Sequence, residues 1–392
     1  MSLTAYVMSK RFDLAYRVDR DEVKPSTEVL PEQSSGRPHV PVCEYGKVKQ
    51  DSAPKLADIA DQSGVSLSTV SYVLSGKRPI SEPVRRRVLK AIEDLEYRPN
   101  GRARALASGA THALALLLPS PQHKDRIEHH SFVAGAAQAT SEVDYSLVLS
   151  TSAARAARVG QLVDQRRVDG LILMEIDLRD RRVQQLRTQD YAFSVIGHPA
   201  DTKDVNFVDI DIATAVRRAV EHLVEYGHRR IVIFNEAPRG RGHVYGPACR
   251  SRVAFAESVA ELGVDGFEVD VPRDRMRTYE AAIEALSERR PTAVIALGTS
   301  SPAIVDAARD LGLRIPNDLS LIGFLVPELA ELLRLTNVDF PVFDMGHFGA
   351  KMLINRLVDP DRPPTQLLLQ PPLTVRNSTG PVPRKRRGGR SK

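Results

Sequence analysis

The apolar positions between residues 55 and 95 recur at intervals of three and four, which is the spacing of amphipathic helices. The pattern predicts helices over 55–62, 67–74 and 81–95. Gly64 can take a positive φ and end the first helix in a sharp turn, and Ser66 stands where the second helix needs an N-cap. The residues predicted to build the common core from the second and third helices are Val70, Val73, Leu74, Val84, Val88, Leu89, Ile92 and Leu95.

Two short helices joined by a glycine turn, the second with small polar residues at its N-terminal end, are typical of a helix-turn-helix. Hydroxyl groups at a helix N-terminus suit phosphate oxygens, and a slim polar helix fits the major groove of DNA. The second-helix side chains predicted to point outward are Leu67, Ser68, Thr69, Ser71 and Tyr72. This segment therefore predicts a DNA-binding surface.

Residues 57–74 read A-D-I-A-x-x-x-G-V-S-x-x-T-V-S-x-V-L, followed by Y-R-P-N at 97–100 and A-x-A-L-A at 103–107. This string resembles the headpiece of the LacI/GalR family of transcriptional regulators, and the resemblance continues more loosely as far as Gly380. It implies a dimeric regulator of transcription that binds specific DNA sequences. The alternative is that three solvated helices belong to an unrelated helical domain.

The segment from Asn100 to Ala107 begins with a good N-cap, but eight residues are too few for a stable helix in water. The resemblance implies that this is a hinge helix, with two copies in the minor groove and Leu106 wedged into the central base step. An apolar wedge of this kind unstacks and bends the duplex. The alternative for Leu106 is a linker leucine that covers the next domain.

Family members often carry an arginine where this chain has Tyr72, which offers DNA one hydroxyl and an apolar ring. The residues expected to read bases are Leu67, Ser68 and Tyr72. Phosphate contacts position a protein without specifying a sequence, and they are expected from Ser66, Thr69, Ser71 and Ser81. The hinge is expected to add Asn100, Ala103 and Leu106.

From Thr111 onward the pattern changes to alternating strands and helices, which predicts parallel sheets covered by helices. Continuous apolar runs such as 113–118 and 293–297 are typical of buried parallel strands. Two such series and a return segment from Phe340 resemble the type I periplasmic-binding-protein fold of this family. The expected fold class is α/β, in which an all-α helix-turn-helix headpiece precedes a periplasmic-binding-protein-like core of two parallel-sheet subdomains.

The pattern also predicts the organisation of the chain. Residues 1–52 are expected to be a disordered extension, 53–98 the headpiece, and 99–110 the hinge helix and linker. Residues 111–380 are expected to form the effector and dimerisation domain, and 381–392 a basic disordered tail. Within the core, subdomain 1 should hold about 111–209 and 340–367, and subdomain 2 about 210–337 and 368–380.

The cleft between two such subdomains, at the carboxyl ends of the strands, is where a small ligand would bind. The chain departs there from sugar-binding members, which usually carry Asn-Asp where Gly298-Thr299-Ser300 stands and an arginine at the position of Ser251. Either the ligand differs, for example an anion held by arginines, or the response to a ligand is weak or lost. The candidate effector residues are Thr299, Arg250, Arg252, His198 and Arg273. The alternatives are structural: a loop hydroxyl for Thr299, a solvated helix face for Arg250 and Arg252, and a loop histidine for His198.

The 392-residue chain carries a net charge of +6, which hints at an acidic partner. Cys43 and Cys249 stand far apart, which argues against a disulfide framework or a zinc site and suits a reducing cytoplasm. We find no apolar run long enough to cross a bilayer and no signal-peptide pattern, so no membrane partner is expected. No cofactor is expected, and no P-loop, G-x-G-x-x-G or H-E-x-x-H motif indicates an enzyme.

These patterns together predict a homodimeric, effector-controlled repressor in the cytoplasm, bound to a near-palindromic double-stranded operator. A twofold dimer presents two copies of one reading surface, which is why the operator should be near-palindromic. Two alternatives stay open. One is a regulator controlled by a partner protein, with a degenerate cleft. The other is a ligand-binding protein without a DNA role.

Overall fold

We analysed a computed structural model that describes residues 54–75, 78–97, 110–118, 128–151, 159–238 and 244–383. The predicted hinge residues Asn100, Ala103 and Leu106 lie outside these ranges, as do the extension over 1–52 and most of the basic tail.

The N-terminal described segment forms three helices: α1 (Leu56–Ser63), α2 (Leu67–Ser75) and α3 (Glu82–Asp94). Gly64 ends α1 with φ of 63°, and its N–H donates to the carbonyls of Ala60 and Asp61. The N–H of Val65 also donates to Ala60, at 3.1 Å, so the chain turns within two residues. The predicted helix-turn-helix is therefore present, with its turn at the predicted glycine.

The headpiece core is small, and a narrow face of each helix fills it. Ile59, Val70 and Val88 are fully buried, and Ala91 and Tyr97 are nearly so. Two predicted core residues were wrong: Leu74 is 40% exposed and Leu89 is 47% exposed. Each headpiece helix has only two neighbouring helices to cover its apolar face. An apolar residue just beside that face therefore stays partly exposed at the edge of the core.

The core begins with a first lobe whose elements alternate along the chain. Their bounds are β1 (Ala113–Leu117), α4 (Glu128–Ser141), β2 (Ser146–Ser150), α5 (Gln161–Asp164), β3 (Gly170–Leu173), α6 (Arg181–Thr188), β4 (Phe193–Ile196) and β5 (Asn206–Ile210). The strands β1, β3, β4 and β5 are buried along most or all of their length, as parallel strands covered on both faces should be.

A second lobe of the same kind follows. Its elements are α7 (Ile212–Glu225), β6 (Arg230–Glu236), α8 (Gly246–Glu261), β7 (Asp265–Val271), α9 (Arg275–Glu288), β8 (Ala293–Leu297), a 3₁₀ turn (Gly298–Ser300), α10 (Ser301–Asp310), β9 (Ser320–Leu325), α11 (Pro327–Leu332) and β10 (Thr336–Asp339). We did not predict α11 or β10, because both are short and carry weak periodicity.

The chain then returns through α12 (Val342–Val358) and β11 (Gln366–Leu369), and ends in the short strand β12 (Leu373–Thr374). The first sheet has the order β11-β5-β4-β3-β1-β2 and is parallel throughout. The second has the order β12-β10-β9-β8-β6-β7, and only β12 runs antiparallel. The predicted α/β class with two parallel-sheet lobes is thus confirmed.

The return helix α12 packs very closely on α4 in the first lobe. A Cβ added at Gly135 would lie 2.0 Å from the carbonyl oxygen of Phe343, and one at Gly346 would lie 2.1 Å from that of Phe132. Neither position can accept a side chain, so the two glycines set the distance between the helices. This crossing ties the last part of the chain to the lobe that it left after β5.

Candidate DNA interface and ligand cleft

The N-terminus of α2 displays a cluster of three hydroxyl groups. Ser66 Oγ lies 2.8 Å from Ser68 Oγ and 2.9 Å from Thr69 Oγ1, and the N–H of Thr69 donates to it at 3.3 Å. Ser66 and Ser68 are exposed, and Thr69 is half-buried. These bonds link neighbours on one short segment, so each hydroxyl can still reach a phosphate oxygen without disturbing the headpiece core.

The predicted base-reading residues lie on the same helix. Leu67 is 54% exposed although it is apolar, and it is the most exposed leucine of the three headpiece helices. Tyr72 is half-buried, and the guanidinium carbon of Arg78 lies 5.2 Å from its ring centroid. Ser71 is half-buried, and Ser81 is exposed where α3 begins. The structure thus brings the predicted headpiece residues from 66 to 72 onto one short helix.

The first described residues after the hinge are fixed to the first lobe by one carboxylate. Asp169, directly before β3, accepts the backbone N–H of Thr111 at 2.6 Å and its hydroxyl at 2.8 Å. It also accepts the N–H of His112 at 2.8 Å. Three bonds to one side chain hold the chain where it joins β1. A shift in the first lobe would therefore be passed directly to the segment that leads to the headpiece.

A cleft lies between the two lobes, at the carboxyl ends of their strands. Two adjoining cavities, of about 110 and 90 Å³, share Tyr245, Pro247 and Phe340 in their walls. The first is lined mainly by the second lobe, including Asn235, Glu236, Arg273 and Thr299. The second is lined mainly by the first lobe, including His129, Glu175 and Asp209. This is the position that the fold predicts for a ligand.

Arg273 lies at the centre of the cleft, at the end of β7. Its Nη1 donates to Glu175 Oε1 at 2.8 Å, and its Nε lies 2.7 Å from Glu236 Oε1 in an ion pair that lacks hydrogen-bond alignment. Its guanidinium carbon lies 5.3 Å from the ring centroid of Tyr245. The buried Nη2 has no hydrogen-bond partner within the described ranges. The predicted candidate Arg273 thus faces the cleft and retains a donor for a ligand oxygen.

Arg250 makes a second charged contact across the cleft. Its Nη2 donates to the carbonyl of His198 at 2.7 Å, and its Nη1 lies 3.6 Å from Asp209 Oδ2. His198 Nδ1 is 2.8 Å from the same Asp209 oxygen, and its ring stacks on Phe207. Burial lowers the pKa of Arg250, and the carboxylate of Asp209 opposes this shift. The structure therefore brings the candidates Arg250 and His198 together, both held by one aspartate.

The remaining two candidates differ in their positions. Thr299 is exposed at the rim of the first cavity. Arg252 is absent from both cavity walls, because its side chain pairs with β7: Nε lies 2.8 Å from both oxygens of Glu268, and Nη2 lies 2.5 Å from Asp270 Oδ1. The alternative for Arg252 was a solvated helix face; its side chain is instead 35% exposed and paired within its own lobe, away from both cavity walls. Arg250 and His198 are also absent from both walls, so they lie beside the cavities and do not line them.

Sequence reasoning missed the three carboxylates of the cleft. Glu175 and Glu236 stand at or just after the ends of β3 and β6, and Asp209 stands at the end of β5. Polar residues at the carboxyl ends of parallel strands are the signal that could have identified them. With them, three carboxylates stand against two arginines at the cleft, and each of these arginines already has an acidic partner.

Two searches of the described part of the chain were negative. We find there no group of three or more His, Cys, Asp or Glu side chains placed to hold a metal ion. In the same part of the chain, none of the helices has the length and apolar character needed to cross a membrane.

A helix-turn-helix joined to two parallel-sheet lobes with a cleft between them defines a DNA-binding protein with a periplasmic-binding-protein-like core. The family model for bacterial regulatory proteins of the lacI family matches residues 55–100, and the one for the periplasmic binding protein-like domain matches 220–379. The regulator AglR of Rhizobium meliloti is 30% identical over 345 residues, which cover 84% of this chain and 95% of AglR. The chain belongs to the LacI family of transcriptional regulators.

Further relatives agree. Catabolite control protein A of Priestia megaterium is 28% identical over 316 residues, covering 76% of this chain and 90% of the relative. Among solved structures, a complex of the transcriptional regulator CelR with cellobiose superposes with a TM-score of 0.61 at 26% identity, covering 83% of this chain and 99% of CelR. A lac repressor dimer bound to operator superposes at 0.72 with 22% identity over the same shares, and this likeness concerns the fold alone.

Proposed function

We propose that this regulator is a homodimeric repressor that binds a near-palindromic operator and responds to a small molecule in its cleft. The observation that carries the DNA part is the exposed cluster at the N-terminus of α2, in which hydroxyls surround a helix end beside an exposed leucine. Phosphate contacts come from Ser66, Thr69, Ser71 and Ser81, and base contacts from Leu67, Ser68 and Tyr72.

The hinge is part of the same proposal. Asn100, Ala103 and Leu106 lie in the minor groove, and Leu106 enters the central base step. The proposal keeps the domain division that the sequence predicts: headpiece 53–98, hinge 99–110 and core 111–380, with an extension at each end. The protein works in the cytoplasm and catalyses no reaction, in keeping with a family whose members are in general not enzymes.

The dimer needs an apolar surface on the core, and the edge of the first sheet offers one. Strand β2 ends that sheet, and its Leu149 is 50% exposed, with Val143 and Val148 also exposed beside it. An edge strand with exposed apolar side chains is a surface that a second copy covers well. A twofold arrangement of two cores then places two headpieces over two half-sites.

The effector that fits this cleft is a neutral, hydroxyl-bearing metabolite and not an anion. The donor Nη2 of Arg273 suits a hydroxyl or carbonyl oxygen, while Glu175, Glu236 and Asp209 suit hydroxyl donors. Added negative charge would meet three carboxylates whose arginine partners are already engaged. The cellobiose held by CelR, a relative of the same fold, is a molecule of this neutral class.

Control by a partner protein is the second candidate, and the pairing of the cleft arginines within the chain favours it. A thermal-shift screen separates the two, since a ligand that binds the folded cleft raises the melting temperature. Neutral sugars and polyols should raise it, whereas matched sugar phosphates and carboxylates should not. Stabilisation by anions alone would contradict the proposed effector chemistry. No stabilisation by any class would favour the partner protein.

The DNA part is tested by selecting bound duplexes from a random pool with full-length protein at fixed, near-physiological salt. We expect an enriched palindrome with a fixed central step, and we expect Leu106→Ala to lose that step. If nothing is enriched, the selection is repeated with the metabolites that bind the cleft, which reveals a need for a corepressor. If no duplex sequence is enriched either without or with these metabolites, the proposal is contradicted.

A further inference from the structure

We propose that the ion pair between Arg273 and Glu175 holds the two lobes of the core together, so that residues of the chain itself keep the cleft closed. We call Arg273, Glu175 and Glu236 together the latch. The inference concerns the regulation of the proposed effector site, and it rests on that proposal. Three features carry it: which lobes the partners belong to, how deeply they are buried, and a matched arginine elsewhere in the second lobe.

The ion pair crosses from one lobe to the other. Arg273 follows β7 in the second lobe, and Glu175 follows β3 in the first, 98 residues earlier in the chain. The 2.8 Å bond between them therefore spans the cleft. Glu236, at the end of β6, belongs to the same lobe as Arg273 and lies 2.7 Å from its Nε. The guanidinium of Arg273 thus pairs with Glu236 of its own lobe and with Glu175 of the other lobe.

The latch is well shielded from water. The side chains of Arg273, Glu175 and Glu236 are 12%, 8% and 17% exposed. Tyr245 covers the guanidinium face and itself bridges the lobes, since it pairs with Asp177 of the first lobe. Removal of one member of a buried ion pair leaves an uncompensated charge in the interior. Opening of the cleft exposes that charge to water, so a broken latch favours the open form.

Arg252 provides an internal comparison, because it also binds two carboxylates. Its partners Glu268 and Asp270 both lie on β7, in the same lobe as Arg252 itself. This arginine makes as many ion pairs as Arg273 but joins nothing across the cleft. Its side chain is 35% exposed, against 12% for Arg273, so Arg252 controls for the number of ion pairs and not for their burial.

The absence of tryptophan from the sequence makes cleft opening measurable. Phe340 lines both cavities, packs edge-to-face on Phe324 and makes none of the ion pairs of the latch. In a Phe340→Trp background the single indole reports access of water to the cleft through acrylamide quenching. The variants to compare are Arg273→Met, Glu175→Gln and, as the control, Arg252→Met. Far-UV circular dichroism establishes that each variant is folded, and the measurement needs neither DNA nor effector.

We expect Arg273→Met to raise the quenching constant at least about two-fold, since it leaves Glu175 and Glu236 without their cation. Glu175→Gln should raise it by a smaller factor, since it removes the charge attraction between the lobes while Glu236 still compensates Arg273. Arg252→Met should leave it unchanged, and the double variant should not exceed the larger single change. Backbone bonds also join the lobes, from Leu178 N–H to Val244 and from Gly246 N–H to Ile176.

If those backbone bonds suffice to keep the cleft shut, neither latch variant will change the quenching, and the latch is overturned. A change in Arg273→Met without one in Glu175→Gln overturns it as well, because the link between lobes requires Glu175. Equal changes in all three variants would assign the effect to lost charge pairs in general. None of these outcomes bears on operator binding, so failure of the latch and failure of the proposed repressor are distinguishable.

Discussion

The polar groups at helix α2 and those in the cleft are bonded in opposite ways. On α2, the hydroxyls of Ser66, Ser68 and Thr69 bond only to close neighbours and remain open to solvent or half-buried. In the cleft, the side chains of Arg273 and Arg250 are partly buried, 12% and 21% exposed, and pair with carboxylates from a different part of the chain. The first surface is arranged to pass its bonds to a partner, whereas the second stabilises the arrangement of its own lobes.

The difference teaches where specificity and control reside in this molecule. A surface of short-range bonds keeps its shape when DNA replaces those bonds, so the DNA contacts proposed for α2 require no refolding of the helix. A network between lobes changes only when the lobes move, so the cleft can respond in two states. The predictions below test this contrast, beginning with the largest expected effect.

Loss of the headpiece core should abolish DNA binding and spare the core lobes. Ile59 is fully buried where α1 meets α2 and α3, so Ile59→Ala should cost about 2–5 kcal/mol, more than so small a domain can lose. Hydrogen exchange of the full-length protein should show fast exchange over 55–97 and unchanged protection in the two sheets. Leu89→Ala, at a 47% exposed leucine, is the matched control. It should keep both the protection of the headpiece and the binding of DNA. Loss of protection in the headpiece, with protection retained in the sheets, supports the contrast between the two regions. Equal loss of protection in both regions contradicts it.

Loss of the hydrogen bonds that hold Thr111 and His112 on the first lobe should weaken the coupling between effector binding and operator binding. Asp169 accepts three hydrogen bonds from Thr111 and His112, and Asp169→Ala leaves these donors without their acceptor, at about 1–3 kcal/mol. We expect operator affinity to respond less to an effector in this variant, while ligand binding in the cleft stays the same. Isothermal titration with and without operator measures both. A variant whose coupling equals that of the wild type would show that the junction does not transmit the lobe movement.

Removal of the cap of α2 should have a moderate effect confined to the headpiece. Ser66 accepts the N–H of Thr69, and Ser66→Ala should cost about 0.5–2 kcal/mol of headpiece stability, whereas Ser66→Asp should restore the cap. The aspartate would however repel phosphate, so it should recover the stability and not the affinity. Thermal unfolding and fluorescence anisotropy with a labelled operator separate the two. Recovery of both by aspartate would mean that Ser66 does not face a phosphate.

The smallest effect is expected from mild acid, and it should be confined to the core. Burial lowers the pKa of His228 below its usual 6.5, and its ring nitrogens bond to Thr292, Ser320 and the carbonyl of Gly380. The folded ring stays neutral while the unfolded ring takes up a proton, so the unfolding free energy falls as the pH drops below about 6.5. Melting temperatures should follow this trend, with a shallower slope in His228→Gln. Parallel slopes in the two proteins would assign the trend to other groups.

The headpiece was predictable from the sequence because its signals are local. Gly64 and Ser66 stand within three residues of the turn that they form, and only local helix geometry was needed to place them. The failures there, Leu74 and Leu89, concern which apolar residues a neighbouring helix covers, and that depends on tertiary packing.

The strands and lobes of the core were also predictable, because alternating buried strands and amphipathic helices repeat along the chain. The contacts of the cleft were not. Arg273 and Glu175 are 98 residues apart, and neither lies in a periodic pattern that marks it. Arg250 and Arg252 look equivalent in sequence, yet one reaches across the cleft and the other binds β7. That difference arises from helix phase and strand position, which only the folded structure provides.

The most direct test of the account compares two residues of α2 on matched and mismatched half-sites of the selected operator. Tyr72→Ala removes a proposed base contact, so it should reduce the preference for the matched site, by up to about 1–3 kcal/mol. Thr69→Ala removes a proposed phosphate contact, so it should weaken both sites by the same factor; because a threonine hydroxyl carries no charge, the salt slope of binding should stay the same. Affinities of both variants for both sites, at several salt concentrations, decide the matter. Equal losses on matched and mismatched sites for both variants would contradict the claim that α2 reads DNA sequence.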